Sequence, residues 1–362
     1  MEDDKFLKVK GKKIDLPIFL PDATKGYVRG VESKDLIESV IKGVVVNIYH
    51  LLNEKFILDV VRKGGIHSYM NFDGLVISDS GGFQVMSLIR KDKTFGEIND
   101  ECAIFTLDGR KAVLTPEKCV ELQLKIKSDI VMCLDDCTEP NFSLEEQEKS
   151  VERTIKWAKR CKEEFDKRTK NLGDLEKPLI FGIIQGGKNL ELRKKCADAL
   201  IEIGFDGYAF GGWPVEEGKF LTELLGDVAK MMPNDKPKYA MGVGKPEDIV
   251  ACVEMGYDLF DCVIPTREAR SNRLYSFKKG FLGFGLKKLD KEGNFYEYVR
   301  VRNKDFEFDK NSISKICDCY ACKNYSRSKI RELFKERDVL AVKLATIHNL
   351  RFYSVLMERL KN

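Results

Sequence analysis

The sequence predicts an α/β protein, a (β/α)8 barrel followed by a smaller helical subdomain. Two observations carry the barrel. Short apolar runs alternate with longer helical patterns over about 230 residues, the rhythm of a parallel sheet with helices packed on it. Several of these runs end in a polar residue or a glycine, whereas no G-x-G-x-x-G follows the first clear one, as a dinucleotide fold would require.

The predicted strands are residues 44–47, 75–78, 130–134, 179–184, 208–210, 239–243 and 259–260, all apolar on both faces as buried parallel strands must be. That makes seven; the eighth falls near the N-terminus or around Phe105. Helices are predicted at 33–42, at 115–127 behind a Thr115 cap with Pro116 in the first position, and from Ser143 to about Lys170. Two more are predicted at 190–203 and 246–255. Ser143 and Glu146 have capping-box spacing. Residues 1–277 form the barrel in this reading and 278–362 the subdomain. Within the latter, 278–311 alternates like one or two hairpins and the stretch after Cys322 is helical.

The chain has 362 residues with 62 Lys and Arg against 58 Asp and Glu, a net charge of +4. That balance conceals a segregation. Residues 1–264 hold 39 basic and 46 acidic residues, a net of −7, while 265–362 hold 23 and 12, a net of +11. A basic C-terminal quarter points to a polyanionic partner. The absence of an uninterrupted apolar run of about 18 residues excludes a membrane-spanning helix. The charged N-terminus MEDDKFLKVKGKK lacks a signal-type apolar region, so a cytoplasmic protein is expected. Eight of the 11 cysteines stand singly in apolar or helical patterns and read as small buried hydrophobes in a reducing compartment.

The other three form Cys317-x-Cys319-x2-Cys322, and His348 follows on a helical stretch. Three thiolates and one imidazole make a closed tetrahedral Zn2+ site with no place for water. The subdomain is therefore expected to bind one structural zinc ion.

A second constellation is carboxylate-rich. Asp79 stands where a buried strand breaks into Ser80-Gly81-Gly82-Phe83; Asp135 and Asp136 end another; Asp261 follows Leu259-Phe260; Gln185 ends a fourth. A single Asp after a strand usually caps a turn, but three of them at apolar strand ends converge on one barrel face. Carboxylates can serve as nucleophile, general base and hydrogen-bond acceptor. With no histidine at a strand end, carboxylate chemistry at an acetal-like carbon such as an anomeric C1′ is indicated. A second Asp and a Gln match a purine edge, and Phe83 and Met241 offer apolar faces to its ring.

Seven stretches resemble the tRNA-guanine transglycosylases in order along nearly the whole chain. They are Asn47 to Leu51 (NIYHL), Ser78 to Leu88 (SDSGGFQVMSL), Phe181 to Gly187 (FGIIQGG), Gly204 to Gly212 (GFDGYAFGG), Met241 to Asp248 (MGVGKPED), Phe260 to Arg267 (FDCVIPTR) and the Cys/His set. The resemblance implies exchange of the wobble guanine of a tRNA anticodon (G34 in GUN anticodons) for a 7-deazaguanine. It implies Asp261 as the nucleophile that holds the ribose covalently and Asp79 as general acid/base. Asp135, Gln185, Ser80, Cys137 and the backbone at Gly212 would contact the base, and Phe83 and Met241 would enclose it. A homodimer acting on one tRNA at a time is the implied assembly. The basic quarter then supplies phosphate contacts to the anticodon loop through Arg267, Arg270, Arg273, Lys323 and Arg327.

The chain departs from the bacterial pattern at Trp213 and Pro214, where members carry Leu and Ala, and at Glu268 to Asn272, where they carry small residues and a glycine. Cys137 and Val215 agree with the type that takes the aminomethyl base preQ1; the altered loop leaves queuine as the alternative. Two other readings compete: a non-catalytic tRNA-binding paralogue, against which both Asp79 and Asp261 speak, and a related transglycosylase acting on DNA.

Overall fold

A computed structural model of the chain describes residues 5–52, 54–92, 94–139, 142–278 and 289–361. Eight parallel strands form its centre: β1 (Ile18–Pro21), β2 (Gly43–Asn47), β3 (Leu75–Asp79), β4 (Ile130–Met132), β5 (Leu179–Ile184), β6 (Gly207–Phe210), β7 (Lys238–Ala240) and β8 (Leu259–Cys262). Each pairs with its chain neighbour from β2 through β8, and β8 returns to β1. The remaining seam is closed by a parallel bridge between Asp22 and Val45, with Ala23 N–H donating to the Val45 carbonyl at 2.7 Å. The predicted (β/α)8 barrel is thus present.

The eighth strand is Ile18–Pro21, near the N-terminus. Phe105 lies instead in an antiparallel sheet of Gly96–Ile98, Ala103–Leu107 and Arg110–Leu114, outside the barrel. Its Asp108-Gly109 turn explains the difference: φ is +49° and +75° there, the paired left-handed geometry that folds a strand back on itself. The predicted strand 130–134 stops at Met132 and 239–243 at Ala240, because the following residues leave the ladder to form the site.

The two strand faces bury different cores, which is why both are apolar. Ile18, Leu20, Val45, Ile77, Met132, Phe181, Ile183 and Tyr239 fill the barrel, and Leu7, Val9 and Ile14 of the hairpin Phe6–Val9/Lys12–Asp15 join the same cluster. Phe19, Val131, Ile180, Ile184, Tyr208, Phe210 and Phe260 face outward into the core shared with the helices. Among those helices are Pro116–Lys125, capped by Thr115, and Leu144–Thr169, opened by the Ser143–Glu146 capping box. The helix predicted at 33–42 ends at Glu38, and the turn after it passes through Val40 at φ +60°.

Beyond β8, Arg273–Phe277 pairs antiparallel with Tyr296–Arg300; positions 279–288 of the predicted hairpin region lie outside the described residues. The helices Tyr320–Asn324, Arg327–Glu336 and Val339–Arg359 follow. The last one is shared. Its Ala341, Leu344, Ala345 and Ile347 pack with Cys319 and Cys322, while Phe352, Tyr353, Leu356 and Met357 join the outer barrel core. Tyr353 stacks obliquely on Phe19 at 4.5 Å and donates to the Gly244 carbonyl at 2.6 Å. Among the described residues no helix is long and apolar enough to cross a membrane.

Candidate active site and metal centre

The C-terminal ends of β3 and β8 and the segment after β4 bring Asp79, Asp261 and Asp135 into one cluster, in which Asp135 is buried and the other two are partly buried. Asp79 senses the other two: burial raises its carboxyl to about 8, and the neighbouring Asp135 and Asp261 charges add to the rise. Asp135 is pushed up to about 6 by burial, against the hydrogen bond from Gln185. Asp261 is also raised by burial, but two donors favour its ionised form. The Tyr239 hydroxyl reaches Asp261 Oδ1 at 2.8 Å and the Gly242 N–H reaches it at 2.9 Å. Different surroundings therefore separate the carboxyls: Asp79 holds its proton to higher pH than Asp135 does.

The supporting contacts follow from the barrel register. Asn47 at the end of β2 is the cross-strand partner of Asp79, and its Nδ2 donates to Asp79 Oδ2 at 2.5 Å. Gln185 Nε2 donates to Asp135 Oδ2 at 2.6 Å, and Ser80 Oγ to Asp135 Oδ1 at 3.4 Å. Gly81 takes φ +75°, and a Cβ there would lie 2.7 Å from the Tyr49 backbone nitrogen, so glycine is required for the turn behind Asp79. Asp136, next to Asp135, is outside this cluster: it is fully buried and paired with Arg90 and Arg153.

Asp79→Asn tests this electrostatic account through stability. Folded Asp79 titrates near 8 against 3.8 for an ordinary Asp, so between about pH 4 and about pH 8 the native state holds a proton the unfolded chain has released. Its stability contribution falls as pH rises through that window and is flat above it. The Asn variant lacks the penalty. It is expected to be more stable than the parent by a few kcal/mol at pH 8, at about 1.4 kcal/mol for each tenfold change in proton affinity, and by much less at pH 5. Urea unfolding at the two pH values measures it; a difference independent of pH would mean that Asp79 does not titrate in this range.

The predicted base-contacting residues surround this cluster in part. Cys137 is buried, its thiol pushed up to about 12 by burial, so it acts as a neutral apolar wall. Met241 packs at the edge of the barrel interior. Phe83 starts the helix Gly82–Lys91, and its ring meets Trp213 nearly edge-on at 5.2 Å. Both rings are about one-third exposed (36% and 38%), so the departure at Trp213 is built into the rim of the site. Gly211 and Gly212 follow β6: a Cβ on Gly211 would strike Gln185 Nε2 at 2.4 Å, and Gly212 has φ +101°.

The predicted basic residues divide. Arg267 and Arg270 lie on the helix Ile264–Arg270 just after Asp261, and burial together with the neighbouring Arg29 and Arg267 holds Arg270 below the usual guanidinium range. Arg29, with Lys25, comes from the loop after β1, so the cationic cluster is larger than the C-terminal quarter alone indicates. Arg273 pairs with Glu268 at 3.0 Å and stacks on Tyr298. Arg327 is engaged within the subdomain, on Asp309 at 3.2 Å and the Ile313 carbonyl at 2.8 Å, while Lys323 is exposed on the helix Tyr320–Asn324.

Cys317, Cys319, Cys322 and His348 converge, with all four ligand atoms within 4.8 Å of one another. His348 Nδ1 lies 3.7 Å from Cys319 Sγ and 3.3 Å from Cys322 Sγ. Metal–ligand bonds of about 2.3 Å to sulfur and about 2.0 Å to nitrogen at a tetrahedral angle would separate such atoms by about 3.6 Å, so the set fits one metal ion. The other ring nitrogen, Nε2, sits 2.6 Å from the Tyr275 carbonyl, a contact that fixes the tautomer and leaves Nδ1 free to ligate.

The family model described as queuine tRNA-ribosyltransferase matches residues 6–362. The chain belongs to this family. Among curated relatives of that name, one from Psychrobacter cryohalolentis is 40% identical over 354 residues, 96% of this chain and 86% of the relative. Another from Halothermothrix orenii is 38% identical over 358 residues, 98% and 88% of the two chains. The motif-based resemblance is thereby borne out. This queuine tRNA-ribosyltransferase family member is an enzyme, a pentosyltransferase of the tRNA-guanine transglycosylase class.

The carboxylate cluster also contains residues that sequence reasoning does not assign. Asn47 has a signal, as a polar residue ending a β-branched run in the NIYHL stretch. Tyr239 has none, because only strand alternation in the closed barrel turns its ring inward toward Asp261.

Proposed function

We propose that this enzyme replaces guanine 34 of tRNAs with GUN anticodons by preQ1 through a ribosyl–Asp261 intermediate. The observation that carries the proposal is the division of labour among the clustered carboxyls: Asp261 held by two donors on Oδ1, Asp79 raised to about 8 and proton-bearing. Asp261 attacks C1′ through Oδ2, the C1′–N9 bond breaks, and the departing guanine takes up the proton that Asp79 carries, which leaves Asp79 as a carboxylate. The incoming base then loses its N9 proton to Asp79 and attacks C1′, which frees the Asp261 carboxylate. Two displacements at one carbon restore the original configuration.

In this reading Asp135, Gln185, Ser80 and the Gly212 backbone recognise the purine edge, Phe83 and Met241 enclose the ring, and Cys137 borders it. Arg267, Arg270, Arg273, Lys323 and Arg327 contact phosphates, joined by Lys25 and Arg29. The Cys/His set holds one Zn2+, which supplies folding energy rather than chemistry. A cytoplasmic homodimer is the assembly that goes with it. Cys137 and Val215 favour preQ1 over queuine.

Competition between preQ1 and queuine for a tRNA with a U-G-U anticodon tests the base, with labelled guanine and duplex DNA as a control for the nucleic acid. Incorporation of preQ1 into tRNA alone is expected. Preference for queuine would overturn the assignment of the incoming base, and exchange into DNA would overturn that of the nucleic acid.

A further inference from the structure

We infer that Arg193 is a positioning residue for base exchange: its guanidinium clamps the loops after β5 and β6 so that Gln185 and the Gly212 N–H are set for the incoming base. The inference rests on the base-exchange reading. Arg193 is the fourth residue of the helix Leu190–Ile203 and is 1% exposed. Among the described residues no carboxylate forms an ion pair with it. The acidic groups that face it are the thiols of Cys196 and Cys137 and the phenol of Tyr257, all pushed up by burial and so protonated at neutral pH.

A buried guanidinium without a counter-ion is unfavourable, and an apolar side chain of similar length would fill the same volume with less penalty. What the guanidinium does have is three carbonyls and an aromatic face. Nη1 donates to Ile184 O at 2.5 Å and to Gly211 O at 2.9 Å, Nε donates to Gly187 O at 2.9 Å, and the group lies 4.5 Å from the Phe210 ring centre.

These carbonyls bracket the two candidate base-reading positions. Ile184 and Gly187 flank Gln185, and Gly211 immediately precedes Gly212. In a trans peptide the C=O and the following N–H point in opposite directions. Drawing the Gly211 carbonyl to Arg193 therefore turns the Gly212 N–H away from it, as a donor that no described residue accepts from. The same helix holds Gln185 from the other side, where its backbone N–H meets Cys196 Sγ at 3.4 Å. Arg193 Nη2 lies 3.3 Å from where a Cβ on Gly212 would be, which ties the glycine to the clamp.

Arg193→Lys and Arg193→Met are the test, with steady-state kinetics in both substrates. The KM for the free base is expected to rise about 10- to 100-fold, the loss of one or two charge-assisted hydrogen bonds, with Lys milder than Met. The KM for tRNA and kcat should stay within about 3-fold. A purely structural role would lower Tm and the active fraction without that split, and a base KM within about 2-fold of the parent in the folded Lys variant would overturn the inference. If the parent does not exchange guanine into tRNA, the base-exchange reading fails first. Calorimetric binding of guanine to the parent and the Lys variant then decides separately, and equal affinities, or no binding by either, would sink the clamp.

Discussion

Asp261→Asn is expected to fold normally, bind tRNA and lose base exchange by at least about 10^4-fold, the scale on which removing a covalent nucleophile acts. The structure explains why folding survives. An Asn oxygen can accept the Tyr239 hydroxyl and the Gly242 N–H as Oδ1 does now, at 2.8 and 2.9 Å. What disappears is a carboxylate that burial already disfavours, so no stability is lost with it. A denaturing gel of enzyme, anticodon stem-loop and a 7-deazaguanine reads the outcome directly. The parent should give a slow-migrating adduct and the variant none. An adduct in the variant, or retained turnover, would remove Asp261 from its role; no adduct in the parent would favour the non-catalytic tRNA-binding reading.

Metal removal is expected to have the second-largest effect. Chelation or Cys319→Ser should lower Tm by on the order of 10 °C, since structural zinc sites contribute several kcal/mol or more to folding. The effect is not confined to the subdomain. His348 sits in the middle of the helix Val339–Arg359, whose C-terminal half packs Phe352 and Tyr353 against the barrel. Asn349, the next residue, ties Arg273 and Pro265 to that helix, its Nδ2 donating at 3.1 and 3.0 Å to their carbonyls. Freeing the ligands thus loosens the segment that follows Asp261. Because the site is closed, the pH profile of the remaining activity should be unchanged. Complete metal loss with an unaltered melting temperature would refute the structural assignment.

Much of the fold is legible in the sequence because its signals are local. Strand 179–184 and helix 190–203 have the predicted bounds, since an apolar run with a polar end and a helix with an Asn cap need no distant partner. The first strand escapes prediction for the opposite reason. Ile18–Pro21 is only four residues and counts as a barrel strand because Leu259–Cys262 pairs with it across some 240 residues of chain. Phe105 misleads because its run has the apolar character of a barrel strand, although the Asp108-Gly109 turn after it makes a hairpin.

The site divides in the same way. Motif order and residue type are enough to name Asp79, Asp135, Asp261, Gln185 and the Cys/His set as candidates, because the proposed chemistry calls for those side-chain types whatever their surroundings. Tertiary structure alone decided what each of them is. Burial and mutual repulsion, which no local pattern encodes, place the Asp79 proton near pH 8, and two donors from β7 and the turn after it favour Asp261 as an anion. It also added Asn47, Arg29 and Arg193. Their roles depend on which strand ends become neighbours when the barrel closes, and closure is a long-range property of the whole chain.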